Sequence, residues 1–483
     1  MGRLIVVSNR VASPADKRKM SGGLAVGVLG ALEKKGGLWF GWSGKIVADN
    51  SSDLQPNVLQ TNNIEFVTVA LKQTDYEQYY RNFSNNVLWP VCHYRHDLIH
   101  YNEQDYAGYR RVNYKLAKQL MPFIKPDDLI WIHDYHLFAF AEALRSLGVR
   151  NRIGFFLHIP FPEPQVWLTI ASHTELIKAL CHNDLIGFQT ATDKQAFQNY
   201  IERHTQGIVY SEDYVAVQGR KCQLQVYPIG IFPDEMAYQA AKSNNKADIN
   251  QFRQTLQNKK LIVSVDRLDY SKGIMERFHA FEHFLENENE LNEEINLLQI
   301  ATETRSDIAI YQKIKRELES AMGKINGRFS KLTYAPIQYL NRSFNRKLLT
   351  VLFRMAHVGF VTPLRDGMNL VAKEFVASQN PQNPGVLILS CFAGAAAELE
   401  TALIVNPFNK VEMSKALKRA LNMSLNERLE RYHLQMDVLR KNNLGVWRDN
   451  FLRDLNMGND YFEPKLTNKL PHKKEYFTSI MLN

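Results

Sequence analysis

Four cysteines in 483 residues, with no C-x-x-C spacing, offer no framework for disulfide stapling or a zinc site. Cys92, Cys181, Cys222 and Cys391 are read as reduced thiols of a cytosolic protein. No apolar run approaches the ~18 residues that cross a bilayer, so a membrane role is not expected. The opening MGRLIVVSNR has too few apolar residues for a secretory leader and reads as a first strand. Val6 stands where a myristoylation signal has Ser or Thr, which sets that modification aside. Asp-x-Asp is missing, and with it the usual carboxylate pair that holds Mg²⁺ or Mn²⁺ beside a nucleotide sugar. Neither G-x-G-x-x-G nor G-x-x-x-x-G-K-[ST] occurs. Internal repeats and low-complexity tracts are also missing.

What is present is a soluble composition, 45% hydrophobic and 23% charged, in a chain too long for one ordinary core. The net charge of +9 is spread among many acids, without a basic helix or arm. Such a surplus suits a cleft holding several phosphates as well as a nucleic-acid surface, and the charge alone does not decide between them. Strand-like runs occur at 4–8, 64–69, 129–133, 153–158, 185–188 and 224–227, then at 261–265, 295–300, 357–361, 386–389 and 403–405. Several are apolar throughout, as parallel strands covered on both faces are. Helical stretches such as 135–147 and 307–322 lie between them, which predicts two doubly wound α/β domains. The turn Tyr227-Pro228-Ile229-Gly230 marks the boundary. The expected division is 1–232, 233–447 and a helical tail, 448–483, packing back on the first domain.

Ligands of open α/β sheets bind beyond the carboxyl ends of strands, so motifs placed there carry the chemistry. SNR at 8–10 precedes Gly22-Gly23, a pair that opens an apolar helix; it is either a diphosphate-binding start or an ordinary flexible loop. Tyr79-Tyr80 and Trp89-Pro90 could stack on sugar rings, although core packing is the commoner role. In WIHDYH, His133, Asp134 and His136 lack helical i, i+4 metal geometry, and Asp134 is better read as accepting from a sugar hydroxyl. His158 in FFLHIPFP is either a core histidine or a cleft residue. In VDRLDYSKG, Arg267 and Lys272 suit a departing diphosphate; the competing reading is a surface salt bridge with Asp266 or Asp269. The strongest motif is TPLRDGMNLVAKEFVA, a strand, a turn at Arg365-Asp366-Gly367 and a helix expected from near Met368. N–H groups of Met368, Asn369 and Leu370 would face an anion, Asp366 would take a sugar hydroxyl, and Glu374 would reach a ribose diol.

Together SNR, GGLAVG, GLWFGWSG, FSNNVLWP, WIHDYHL, GFFLHIPFP, DRLDYSKG, TPLRDGMNLVAKE and CFAGAAAE make the chain resemble the trehalose-6-phosphate synthase family from RLIVVSNR to about Trp447. The resemblance implies a GT-B fold, two Rossmann-like domains facing across a cleft, and retaining, metal-independent transfer from UDP-glucose to glucose 6-phosphate. By likeness the donor would meet Gly22, Gly23, Arg267, Lys272, Phe344, Asp366 and the run Met368, Asn369, Leu370, Val371, Ala372, Lys373 and Glu374. Asp366 and His158 would lie near the glucosyl unit, and the acceptor hydroxyl would attack from the same face while Arg267 and Lys272 stabilise the leaving diphosphate. The acceptor would meet Arg10, Tyr80, Trp89, Asp134 and Arg305. Departures fall in Pro14–Met20 and beyond Tyr461. No cofactor is expected, a separate phosphatase would process the product, and a cytoplasmic homo-oligomer is anticipated. Same-fold transfer to glycerol 3-phosphate or a pseudo-sugar phosphate, and a non-catalytic sugar-phosphate sensor, are the alternatives.

Overall fold

Strands buried on both faces cannot stand alone, and the apolar runs assemble into two sheets. The computed structural model describes residues 2–11, 27–30, 32, 36–52, 54–242, 254, 256, 259–288, 295–305, 308–332 and 334–457. Gly22, Gly23, the segment 14–20 and everything after Met457 lie outside the described residues.

The first sheet contains β1 (Leu4–Arg10), β2 (Gly37–Val47), β3 (Asn57–Thr61), β4 (Ile64–Lys72), β5 (Leu129–His133) and β6 (Ile153–Phe156). It continues with β7 (Leu185–Phe188), β8 (Ile208–Ser211), β9 (Tyr214–Val217) and β10 (Arg220–Val226). Their order is β3-β4-β2-β1-β5-β6-β7-β10-β9-β8, parallel except where β3, β8 and β9 join antiparallel at the edges. The second sheet contains β11 (Lys260–Arg267), β12 (Ile295–Thr302), β13 (Ile337–Leu340), β14 (Val358–Val361), β15 (Val386–Ser390) and β16 (Leu403–Val405). Its order is β13-β12-β11-β14-β15-β16, parallel throughout. Central strands such as β5, β6, β7 and β14 are buried along their whole length, which is why they read as unbroken apolar runs.

Several elements depart from the sequence reading. β2 was hidden because Gly37, Gly41 and Gly44 look like punctuation, and Gly36-Gly37 reads as a helix stop. The glycines are there for close approach: a Cβ on Gly41 would lie 2.0 Å from the carbonyl oxygen of Ser8 on β1. Tyr76–Leu88 is a π-helix, a form rare enough that periodicity does not announce it. Its wide turn brings Asn85 Nδ2 within 2.7 Å of the Tyr80 carbonyl. The stretch 135–147 is a 3₁₀ turn at Tyr135–Leu137 followed by a helix at Phe140–Ser146, not one helix.

Three helices place the site. α1 (Ile274–Asn287) and α2 (Leu370–Ser378) follow β11 and β14. α3 (Leu444–Met457) carries the chain back to the first sheet. There Phe451 stacks on Trp131 at 4.7 Å between centroids, fitted against Gly154 and Gly187. Tyr227 Oη donates to Asp454 of the same helix at 2.7 Å.

Candidate active site

The carboxyl ends of both sheets open onto one cleft. From the first half come Arg10 at the end of β1, Asp134 directly after β5 and His158 just beyond β6. From the second come Arg267 at the end of β11, Lys272 before α1, Arg305 after β12 and Arg365-Asp366-Gly367 after β14. Contacts hold the rims together. A Cβ on Gly367 would stand 2.1 Å from the carbonyl oxygen of His158, so only glycine allows this approach. The Arg365 guanidinium lies 3.7 Å from the centroid of the Tyr94 ring. Six non-glycine residues among those described have positive φ, and Tyr94, Asp134, Arg305 and Asn369 of these line the cleft. Such backbone costs of order 1–3 kcal/mol per residue and is retained where geometry matters for function.

In the second half, the charges have distinct attachments. Asp266 is taken by Arg277 at 2.7 Å and Asp269 by Arg305 at 3.2 Å, so neither forms the alternative salt bridge with Arg267. Arg267 is exposed, 5.3 Å from the Trp89 ring, and has no ion-pair partner among the described residues. Lys272 Nζ donates to Asp366 Oδ2 at 2.5 Å, and Asn369 Nδ2 donates to the same oxygen at 3.0 Å. α2 begins at Leu370, two residues later than expected near Met368, because Asn369 takes φ 69 and caps the helix through its side chain. Its first N–H groups, at Leu370 and Val371, are those that lack intrahelical acceptors.

Further along α2 the picture is mixed. Glu374 meets Arg346 Nη2 at 3.1 Å, and burial raises its carboxyl pKa against the pull of that guanidinium. Lys373 turns away: its side chain is fully buried, donates to the Ile229 carbonyl at 2.8 Å and pairs with Glu398. The Lys373 side chain is thus not free for the donor contact expected of it. Phe344 is half-buried under the Arg342 guanidinium at 4.8 Å.

On the first-half side, the Arg10 guanidinium lies 5.5 Å from the Trp42 ring, in space that Gly44 leaves open at φ 85. Tyr80 is half-buried and stacks on His136 at 5.6 Å. Tyr79 is wholly core, and its hydroxyl donates to Asn9 Oδ1 at 2.8 Å. Trp89 is 3% exposed, so packing holds it, yet it also lies against two guanidinium groups, Arg305 at 4.1 Å and Arg267 at 5.3 Å. Arg305 bonds Asp269, Tyr311 Oη at 2.6 Å and Tyr135 Oη at 3.1 Å.

Electrostatics follow from this enclosure. Burial raises the Asp134 carboxyl to about 6, against the N–H groups of Tyr135 and His158 and the fields of Arg267 and Arg305. Burial also opposes ionisation of Asp269, but Arg305, Arg267, His93 and Lys272 outweigh it and hold that carboxyl at about 2. Asp269, Tyr311, Tyr135 and Arg277 escaped the sequence reading as parts of the site. Arg277 is fully buried and donates to Asp266, Gln299, Thr362 Oγ1 and the Lys272 carbonyl. Its only sequence signal is a charge on the apolar face of a helix. Among the described residues, no three His, Cys, Asp or Glu side chains converge as a metal site.

A family model of glycosyltransferase family 20 matches residues 3–457. Trehalose-6-phosphate synthase of Klebsiella pneumoniae is 50% identical over 456 residues, covering 94% of this chain and 95% of the relative. An α,α-trehalose-phosphate synthase (UDP-forming) from Burkholderia xenovorans, solved in complex with glucose-6-phosphate, is 52% identical with a TM-score of 0.91. That match covers 94% of this chain and 100% of that one. A protein of E. coli solved bound with UDP-2-fluoro glucose is 48% identical with a TM-score of 0.90, over 94% of this chain and 99% of that one.

Proposed function

The chain belongs to glycosyltransferase family 20, and from that membership we propose that it transfers glucose from UDP-glucose to glucose 6-phosphate, forming α,α-trehalose 6-phosphate and UDP. The observation that carries this reading is the arrangement of cations in one cleft. Arg267, Lys272 and the start of α2 stand on one side, and Arg10 stands on the other over Trp42, whose ring packs against Tyr80; Trp89 lies against Arg267. The relatives solved with glucose-6-phosphate and with UDP-2-fluoro glucose supply matching ligand chemistry.

In this mechanism the diphosphate sits against Arg267, Lys272 and the α2 N–H groups, with Phe344 and Glu374 beyond it and Glu374 accepting from the ribose. Lys272 exchanges Asp366 for a phosphate oxygen, and Asp366 is freed to accept from a glucosyl hydroxyl. The bond from the anomeric carbon to the phosphate oxygen breaks as the acceptor hydroxyl approaches on the same face. Its proton passes to the departing phosphate, and configuration is retained. Catalysis then rests on positioning and on charge stabilisation in a protected cleft. Arg10, Tyr80 and Arg305 face the acceptor phosphate, Trp89 its ring, and Asp134 a hydroxyl. Cations and helix N–H groups do the work a metal would do elsewhere, and no metal is required.

The residues up to 232 form the acceptor half and those from 233 to 447 the donor half, and α3, as far as Met457, returns to the first sheet. Three buried unpaired thiols suit a reducing cytoplasm. No helix among the described residues is long and apolar enough to cross a membrane. Dephosphorylation of the product falls to a separate phosphatase, and copies of the chain assemble as a homo-oligomer. UDP release measured with UDP-glucose and a panel of acceptors tests the reading. Glucose 6-phosphate should support turnover and glycerol 3-phosphate should not; the reverse pattern refutes it.

A further inference from the structure

β5 and β6 run side by side, and their ends bring two imidazoles together, with His133 Nδ1 3.0 Å from His158 Nε2. Burial pushes both rings below the usual histidine range, His158 to about 3, so both are neutral. A hydrogen bond between neutral rings needs one of the facing nitrogens protonated and the other bare. The remaining nitrogen of His133 decides which. Its Nε2 is enclosed and has no hydrogen-bond partner among the described residues. Aromatic rings pack around it: Trp131 at 4.5 Å between centroids, Trp447 at 6.4 Å and Phe156 at 6.5 Å. The polar atoms of those indoles are themselves donors without partners. A proton on His133 Nε2 would therefore be an orphaned buried donor, the form that folded proteins tolerate least. A bare lone pair there is the milder state. The proton of His133 accordingly sits on Nδ1 and points at His158.

We propose that His133 is a positioning residue: by donating from Nδ1 to His158 Nε2 it fixes His158 as the Nδ1–H tautomer, which offers a donor N–H to an oxygen of the sugar in the cleft. His158 is only partly buried, and the one side-chain hydrogen bond its ring makes among the described residues is that with His133 at Nε2, which leaves Nδ1 for a ligand. The same contact fixes the plane of the ring, as outer partners of functional histidines do elsewhere. The inference rests on the reading that the donor sugar lies beside His158.

The test uses the ¹⁵N-labelled full chain near neutral pH, with imidazole signals of His158 assigned by comparison with H158Q. The expected spectrum has Nδ1 of His158 protonated and Nε2 bare. H133F, which keeps the ring but removes the donor, should lose that preference and lower kcat about tenfold, while the KM for UDP-glucose stays within about twofold. H133N, which places an amide N–H near the position of Nδ1, should restore the tautomer and much of kcat. A parent spectrum with Nε2 protonated overturns the proposal, as does an H133N variant no better than H133F. If H133F fails to fold, the parent spectrum still decides. A parent with the expected tautomer that turns over no UDP-glucose overturns the functional reading and leaves the tautomer standing.

Discussion

Arg267 and Arg305 touch the same tryptophan but are held very differently. Arg267 is exposed with no ion-pair partner among the described residues, whereas the Arg305 side chain is 6% exposed and bonded to Asp269. Replacing Arg267 by Ala should therefore remove diphosphate stabilisation alone. Loss of one such contact lowers kcat by roughly 10²–10³, or about 2.7–4 kcal/mol, with little change in melting temperature. Arg305→Ala should also lose activity, but it leaves buried Asp269 without its partner and destabilises the fold by about 3–5 kcal/mol. Steady-state kinetics and thermal melts of the two variants separate these roles. Asp134 carries a pH signature. Its folded pKa of about 6 lies above that of the unfolded chain, near 4. Below roughly pH 4 both states bind the proton; between there and about 6 only the folded state does, so its stabilising contribution is lost as pH rises through that window. D134N has no such loss. Its melting temperature relative to the parent should climb between pH 4 and 7, by the equivalent of up to about 3 kcal/mol; a pH-independent difference contradicts the assignment. Arg267 and Lys272 were legible because a strand end announces them. Arg277 was not, because a buried charge in a helix is recognised only once its partners, Asp266, Gln299 and Thr362, are in place.

At the scale of elements, strand–helix alternation was readable wherever a strand is covered on both faces, as at β5 and β7. It failed where tertiary contact overrides local pattern. β2 carries glycines because β1 presses on it, and the π-helix at Tyr76–Leu88 has a period no amphipathic pattern anticipates. α2 starts late because Asn369 accepts a left-handed backbone that a run of propensities does not reveal. The β14–α2 turn gives the sharpest element-level prediction. A methyl at Gly367 would meet the His158 carbonyl oxygen, forcing the halves apart at the reacting centre. G367A should lower kcat on the order of a hundredfold, the scale of a 1 Å misplacement. Gly327, inside the helix Ala309–Phe329, has open space around its Cβ position. G327A should leave kcat unchanged and add roughly 0.5–1 kcal/mol of stability. Equal effects of the two substitutions would contradict the role given to the turn.

At the scale of the molecule, two parallel sheets aim their strand ends at one another, so that residues far apart in sequence share a cleft. Trp89, Tyr94 and His158 of the first half meet Arg267, Arg365 and Gly367 of the second. α3 then closes the chain on the first sheet through Phe451 and Asp454. The cleft combines cations with buried carboxylates, a mixture that suits the proposed transfer of a sugar between two phosphorylated partners. The direct measurement is ¹H NMR of UDP-glucose incubated with glucose 6-phosphate and the protein in excess EDTA. UDP should accumulate together with one new product whose two anomeric protons both carry the small coupling of α-glucosides. A mixture that stays unchanged until a divalent metal is restored, or a product with a β-anomeric proton, would contradict the proposed transfer.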